Sequence, residues 1–479
     1  MATEIRPVSA VVLAAGEGTR MRSATPKVLH PLCGRPMLLH VLEAIGQLPL
    51  ERIVVVVGRG AEAVAKTVQE QLVTPVPVEF VEQPVPRGTG DAVAVALSVS
   101  AFDLDGEDDL LVVYGDVPLL RAETLAALAS EHRLAGAAAT MLTARVDDPT
   151  GYGRIVRDAD GDVDRIVEQA DATDDELAIR EVNPSIFCFR RGLLAPALRR
   201  LSPENAKGEY YLTDVVGVLR DAGHSVRAIE VDDAAETVGV NDRVQLGAAE
   251  AALRARINER WMRAGVTMVD PARTYVDATV ELAPDVRLLP GTILSGRTVV
   301  GAGSIVGPDS HLVDTIVGDD AVVRQTVSVD ATIGDGATVG PFASLRAGTH
   351  LAAGAHVGTF VEIKNSEIGA GAKVPHLAYV GDAEVGPGAN IGAGTITANY
   401  DGRSKHRTKI GAGVHTGSNT VLVAPVELGD DATTGAGAVV TRDVPAGALA
   451  KGVPARIEEG WGAKREDGDL GGDAAGRET

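Results

Sequence analysis

From Ile333 to Val440 an aliphatic or branched residue returns every six positions, often with glycine after it. The run reads Ile333-Gly334, Val339-Gly340, Leu345-Arg346, Leu351-Ala352 and Val357-Gly358. It resumes at Ile368-Gly369, Val374-Pro375 and Val380-Gly381, slips by one residue at Val385-Gly386 and Ile391-Gly392, and returns at Ile410, Thr416, Leu422, Leu428, Thr434 and Val440. A sustained six-residue period is the mark of a hexapeptide parallel β-helix. Each hexad supplies one side of a coil, its aliphatic residue points inward, and the glycine makes the corner, where φ can be positive. The longest interruption, TANYDGRSKHRTK (Thr397–Lys409), packs Arg403, Lys405, His406, Arg407 and Lys409 into seven residues. Excursions between regular coils cost little stability and often carry function. A solvated surface loop fits; in so acidic a chain a phosphate-facing loop fits better.

The chain has 45 Lys+Arg against 66 Asp+Glu, a net charge of −21. That balance excludes a nucleic-acid partner, since a phosphate backbone demands a cationic surface. Its 479 residues suggest two to four domains. Two cysteines, Cys33 and Cys188, cannot make a disulfide framework or a cysteine-rich metal site. The MATEIRP start lacks the features of a signal peptide, and no apolar run approaches the roughly 18 residues of a membrane span. The expectation is a soluble, cytoplasmic protein with no membrane partner.

Before the repeat the pattern is different. Val/Leu/Ile runs at Ser9–Ala14, Ile53–Val57, Leu110–Tyr114, Ala139–Val146 and Ile186–Phe189 alternate with amphipathic stretches at Pro36–Ile45, Ala61–Leu72 and Arg121–His132. This predicts a Rossmann-like α/β domain, residues 1–241, with a mostly parallel sheet whose strand ends hold the ligand. One connecting helix is predicted over 242–265, with Val244, Leu246, Ala249, Leu253, Ile257 and Trp261 on its apolar face. The β-helix then occupies 266–459, and a Gly/Asp/Glu-rich tail, 460–479, is expected to be disordered.

The first strand runs into LAAGEGTRMRSATPK (Leu13–Lys27), which is neither a Walker A loop nor a dinucleotide fingerprint. Its glycines allow close backbone approach to a phosphate, and Arg20, Arg22 and Lys27 supply charged donors. Asp116, in GDVPLL after a buried strand, suits either a helix cap or a Mg²⁺ carboxylate; Asn241 suits either an N-cap or a neutral oxygen ligand. The whole string resembles the nucleotide-binding signature of sugar-1-phosphate nucleotidyltransferases, and together with PKVLHPLCGRPML it resembles their uridyltransferase branch. The resemblance implies nucleotide and sugar contacts at Leu13, Ala14, Ala15, Gly16 and Lys27. It implies more at Gln83, Gly88, Thr89, Tyr114, Gly115 and Asp116, and at Gly153, Glu168, Asn183 and Asn241. Mg²⁺ would be held by Asp116 and Asn241, with Lys27 and Arg20 neutralising charge as a sugar phosphate attacks the α-phosphorus of UTP.

The segment VEIKNSEIGAGAKVPHLAYVGDAEVGPGANIGAGTITANYDG (Val361–Gly402) is similar to the bacterial bifunctional N-acetylglucosamine-1-phosphate uridyltransferase/glucosamine-1-phosphate acetyltransferase family, and the similarity runs from about residue 9 to 450. It implies that His376 is the general base of acetyl transfer; Val374 already fills the inward hexad position beside it. It implies a glucosamine-phosphate site at Arg346, Lys364, Tyr379 and Asn390, and acetyl-CoA contacts at Ala393, Asn399, Tyr400, Ser418 and Ala436. Where the family commonly carries an arginine, ALAKGVP (Ala448–Pro454) has Gly452, leaving Lys451 as the cation for the CoA phosphates.

The family also implies a left-handed coil, where the general crossover rule would give a right-handed one, and a homotrimer with sites between subunits. Both cysteines precede the repeat, so direct acetyl transfer is simpler than an acyl-enzyme. Acetylation of glucosamine-1-phosphate would precede uridylylation, giving UDP-N-acetylglucosamine for cell-wall synthesis. Two rivals are a single-activity nucleotidyltransferase with an oligomerising or regulatory β-helix and a non-enzymatic β-helical scaffold. His376, the basic excursion and Lys364 speak against the first, and the intact Gly16–Lys27 string with Asp116 speaks against the second.

Overall fold

Val/Leu/Ile runs form the buried strands of the first half in the computed structural model, which describes residues 7–98 and 108–461. The chain divides into two compact units, Met1–Leu253 and Arg254–Thr479.

The first unit is built on a ten-stranded sheet: β1 (Val8–Ala14), β2 (Ile53–Val57), β3 (Val78–Glu82), β4 (Asp109–Tyr114), β5 (Ala139–Arg145), β6 (Gly153–Arg157), β7 (Val163–Val167), β8 (Glu181–Asn183), β9 (Phe187–Arg190) and β10 (Val226–Glu230). Its order is β3-β2-β1-β4-β9-β5-β8-β6-β7, with β10 beside β5. Alternate residues feed two apolar layers. Val12, Val55 and Val113 face Leu38 and Leu42 on one side; Val11, Val54 and Val112 face Val93 and Phe187 on the other. The expected parallel pairing holds for β3-β2-β1-β4 and for β5-β10. The others are antiparallel, making the sheet mixed. Parallel strands need a crossover helix, and between β5 and β9 the only helix is the four-residue Asp174–Leu177.

The strand-to-helix corner after β1 is a long loop. It holds two 3₁₀ turns, Thr19–Met21 and Lys27–Leu29, and a short antiparallel hairpin, Pro31–Leu32 with Arg35–Pro36, before the first α-helix, Met37–Gly46. The predicted connecting helix forms over Arg243–Arg263. Asp242 caps it, accepting from the Val244 and Gln245 amides at 2.9 Å each. Ala249 and Ile257 are buried as expected, but Val244, assigned to the apolar face, is 82% exposed in the first turn.

The second unit is a left-handed parallel β-helix whose two- to four-residue strands stack into sheets of seven, ten and nine strands. The inward positions Ile333, Val339, Leu345, Val374, Ile391 and Leu428 are at most 2% exposed. Two inward positions are threonines, and their hydroxyls are satisfied: Thr416 accepts from the Gly392 amide at 2.8 Å and Thr434 from the Gly417 amide at 2.9 Å. The coil begins well before Ile333, with Leu282, Leu288, Leu294, Val300, Val306 and Leu312 buried at the same six-residue spacing.

The hexad glycines do a different job from the one expected. Gly417 does not have positive φ; a Cβ there would lie 2.5 Å from the Ala436 amide nitrogen of the next coil. Close stacking therefore demands most of them, while the left-handed corners fall elsewhere and often on Asp, as at Asp320 (φ 54°) and Asp431 (φ 58°). The basic excursion is a tight turn. Asp401 accepts from the Ser404 and Arg403 amides and from His406 Nε2, which together hold its carboxyl well below the usual range. Gly460 and Trp461 lie in a turn, and the remainder of the expected tail, 462–479, lies outside the described residues. Among the described residues no helix is long and apolar enough to cross a membrane.

Candidate active sites

The strand ends of the first unit open on a cavity of about 650 Å³. The end of β1 contributes Leu13 and Ala14, and the loop after it Ala15, Gly16 and Arg20, with Lys27 beyond. A side chain at Gly18 (φ 63°) would meet the Lys27 Cβ at 2.6 Å, so glycine lets the lysine stem lie along the loop. Gln83, Gly88, Thr89, Tyr114 and Asp116 form the floor, and Gly153, Glu168, Asn183 and Asn241 the far wall. Gly115 does not line it: its Cβ position faces Leu38 and Ala14, 3.0 and 3.3 Å away.

Lys27 forms an ion pair with Asp116 and donates to Asn241 Oδ1 at 3.0 Å; Arg20 donates to the same oxygen, also at 3.0 Å. Neither Asp116 nor Asn241 caps a helix, since Arg121 and Asp242 hold those positions. An acidic and a neutral oxygen from distant segments thus converge on one cation. Among the described residues no group of three His/Cys/Asp/Glu side chains could hold a metal. Two hard oxygens do fit an ion like Mg²⁺, which keeps waters and takes its other ligands from phosphates.

Across the cavity, burial pushes the Glu168 carboxyl up, against a hydrogen bond donated by Thr213 at 3.1 Å. Burial, then the charges of Glu168 and Asp171, raises Asp214 to about 6. Burial raises the Tyr114 phenol far above its ordinary value. Gln83 spends its amide hydrogens on Gly88 O (3.2 Å) and Asp91 (2.7 Å), so its carbonyl is the group left to accept. Sequence reasoning missed Gln245, which lines the cavity and accepts from the Asn241 amide at 2.7 Å. Its place one helical turn beyond Asn241 was the available signal.

In the second unit His376 ends the strand Lys373–His376 and is exposed, outside the coil. The coil register stacks expected thioester contacts on it. The Gly394 amide donates to His376 O (3.2 Å), Asn419 to Ala393 O (2.7 Å) and Gly437 to Ser418 O (2.8 Å). His376, Ala393, Ser418 and Ala436 are therefore one column on four successive coils. On the same sheet Asn390 sits between Lys373 and His415.

Lys364 and Tyr379 belong to the ten-stranded sheet instead, beyond the corner at Leu377-Ala378, and Arg346 directly follows that sheet's strand Ser344–Leu345. Arg346 and Lys364 hold equivalent places on adjacent coils, and Arg346 pairs with Glu362 at 2.9 Å. The excursion brings Lys405 against Lys364, and that contact lowers the Lys405 ammonium pKa. Two ammonium groups in contact call for an anion between them. Burial works against the Asp382 charge, yet hydrogen bonds from Asn365 (2.6 Å) and Asn399 hold it below the usual carboxylate range. The same Asn399 amide lies 3.5 Å from the Tyr379 hydroxyl, while Tyr400 is 61% exposed. Lys451 is held by Glu458 at 2.8 Å. A second cavity of about 640 Å³ lies on the nine-stranded sheet, against Glu367, Glu384, Lys409 and Glu427, and contains none of the expected transfer residues.

Residues 10–215 match the MobA-like NTP transferase domain, and residues 407–442 match six bacterial transferase hexapeptide repeats. A bifunctional protein GlmU of Thermobifida fusca is 51% identical over 474 residues, covering 98% of this chain and 97% of its own. GlmU of Streptomyces coelicolor is equally similar, 51% over 474 residues with the same coverage. That of Leifsonia xyli subsp. xyli is 52% identical over 459 residues, 96% of this chain and 93% of its own. With half its positions shared along both units, the chain belongs to the family of bifunctional GlmU proteins.

Proposed function

We propose that the chain makes UDP-N-acetylglucosamine by two transfers: acetyl from acetyl-CoA to glucosamine-1-phosphate, then uridylyl from UTP to N-acetylglucosamine-1-phosphate. The observation that carries this reading is that each unit gathers, from segments far apart, a set of groups suited to one of the two steps.

In the first step His376 accepts a proton from the sugar amine as its nitrogen attacks the thioester carbonyl; the C–S bond breaks and CoA leaves as thiolate. Arg346, Lys364 and Lys405 hold the sugar phosphate, with Tyr379 and Asn390 on the sugar side. Ala393, Ser418 and Ala436 line the thioester carrier's path, with Asn399 and Tyr400 as further acetyl-CoA contacts. Transfer is direct: both cysteines, Cys33 and Cys188, are buried in the first unit.

In the second step a phosphate oxygen of the sugar phosphate attacks the α-phosphorus of UTP and the bond to pyrophosphate breaks. Gln83 accepts from the base, Gly88 and Thr89 offer backbone, and Glu168, Asn183 and Gly153 hold sugar hydroxyls. Arg20 and Lys27 neutralise the phosphates once the nucleotide draws them from Asn241 and Asp116. Asp116 and Asn241 would hold Mg²⁺, which would supply neutralisation of the phosphate charge.

The assembly we infer is a trimer in the cytoplasm. Phe342 and Phe360, stacked at 5.3 Å, and Leu377 form an apolar ridge, each more than half exposed, on the corner between the two acetyl-transfer faces. Covering it with a second copy would bring that copy's Arg346 and Lys364 face toward His376. The test is an assay pair on wild type, Asp116→Ala and His376→Ala. Pyrophosphate release from UTP should vanish only in the first variant, and thiol release from acetyl-CoA with glucosamine-1-phosphate only in the second.

A further inference from the structure

We propose that Arg456 is the cation that meets the phosphate end of acetyl-CoA. This rests on the acetyl-transfer reading above and concerns the far end of the same site.

The column that starts at His376 continues past Ala436. The Gly435 amide donates to Ala450 O at 2.8 Å, which sets Lys451 level with Gly435 and Gly452 level with Ala436. Gly452 is therefore four coils above His376, about 19 Å at roughly 4.8 Å per strand spacing. A thioester carrier with its acyl group at His376 must lay its arm along this column. The pantetheine arm has the length of about four extended residues, about 14 Å, before its diphosphate begins. The diphosphate then starts level with Ala436, and the ribose phosphate lies beyond it. At that height the chain turns back on itself: Leu449–Gly452 pairs antiparallel with Ala455–Glu458, and Arg456 lies directly across from Lys451. Cross-strand partners share a face, so both side chains stand where the phosphates arrive.

The two cations are not equivalent. The Lys451 ammonium is bound to Glu458 at 2.8 Å. Arg456 is exposed and forms no ion pair among the described residues. Its guanidinium offers a bidentate fork to a phosphate where lysine offers a point charge. The cation lacking at Gly452 is thus supplied from the return strand of the hairpin.

The experiment compares two donors, acetyl-CoA and acetyl-pantetheine, the latter lacking every phosphate. Arg456→Ala should raise the KM for acetyl-CoA at least tenfold and leave that for acetyl-pantetheine within twofold, with the KM for glucosamine-1-phosphate unmoved. Arg456→Lys should recover part of the loss, and Lys451→Ala should cost less than threefold. An equal rise for both donors would mean the variant had disturbed the coil and would overturn the proposal. So would an unchanged KM for acetyl-CoA, or a larger loss from Lys451→Ala than from Arg456→Ala. A wild-type protein that acetylates with neither donor would overturn the acetyl-transfer reading itself.

Discussion

The two units solve opposite problems. In the first, a mixed sheet with helices on both faces encloses a cavity within one chain, and Lys27, Asp116 and Asn241 already touch across more than two hundred residues. In the second, a coil too narrow to enclose a ligand displays its groups on the outside, on two faces that meet at an apolar corner. A cavity can exclude water by itself; a convex prism needs a second copy to do so. The difference teaches where each activity should be fragile.

The largest effects should separate the units outright. Asp116→Ala is expected to lower uridylyl transfer on the order of 10³-fold and leave acetyl transfer intact. His376→Ala should lower acetyl transfer by about 10²–10⁴-fold and spare pyrophosphate release. Loss of both activities from either change would break the comparison. Next, Phe360→Glu places a charge on the exposed ridge. Under the proposed trimer it should yield a monomer by light scattering, with acetyl transfer down at least about tenfold and uridylyl transfer within twofold, because the first unit's cavity lies within one chain. Unchanged acetyl transfer by a monomer would mean that site is complete in one chain.

Smaller effects sharpen the picture. Lys405→Ala should raise the KM for glucosamine-1-phosphate about tenfold, about 1.4 kcal/mol, in steady-state kinetics without altering UTP turnover. The smallest is a pH effect on the enclosed unit. Asp214 titrates near 6 in the folded protein, above its unfolded value of about 3.9, so the folded state binds the extra proton in between. The contribution of Asp214 to stability is therefore fully present below about 4 and is lost as pH rises through 6, at most about 1–2 kcal/mol for a half-buried group. Denaturant titrations across that range should show the slope, and Asp214→Asn should flatten it. A slope of the opposite sign would refute the assignment.

Much of this was legible in the chain. The period at Ile333, Val339 and Leu345 set the coil, and the Val/Leu/Ile runs set the buried strands. The earlier coils at Leu282 to Leu312 carried the same period, with glycine following only Val300 and Val306. The antiparallel half of the sheet was not legible from strand composition, because Phe187 and Ile53 are equally buried whichever way their strands run. Glycine was read as a turn residue, yet at Gly417 it is the nearness of the next coil that forbids a side chain. Asp116 and Asn241 each kept a capping role as an alternative; Arg121 and Asp242 take those roles because each stands one position before its helix.

By itself the sequence determined what repeats locally: hydrophobic period, strand composition and the charge of the excursion are written in neighbouring residues. Only the tertiary structure decided what meets across coils. Successive turns differ in length, 17 residues from His376 to Ala393 but 25 from Ala393 to Ser418, so no fixed spacing predicts that these residues stack. Backbone hydrogen bonds between coils absorb the excursion as an outward loop, and the same packing carries Lys405 back to Lys364 and Arg456 to the end of the column. Contact between distant segments follows from register, which the sum of long-range pairings sets.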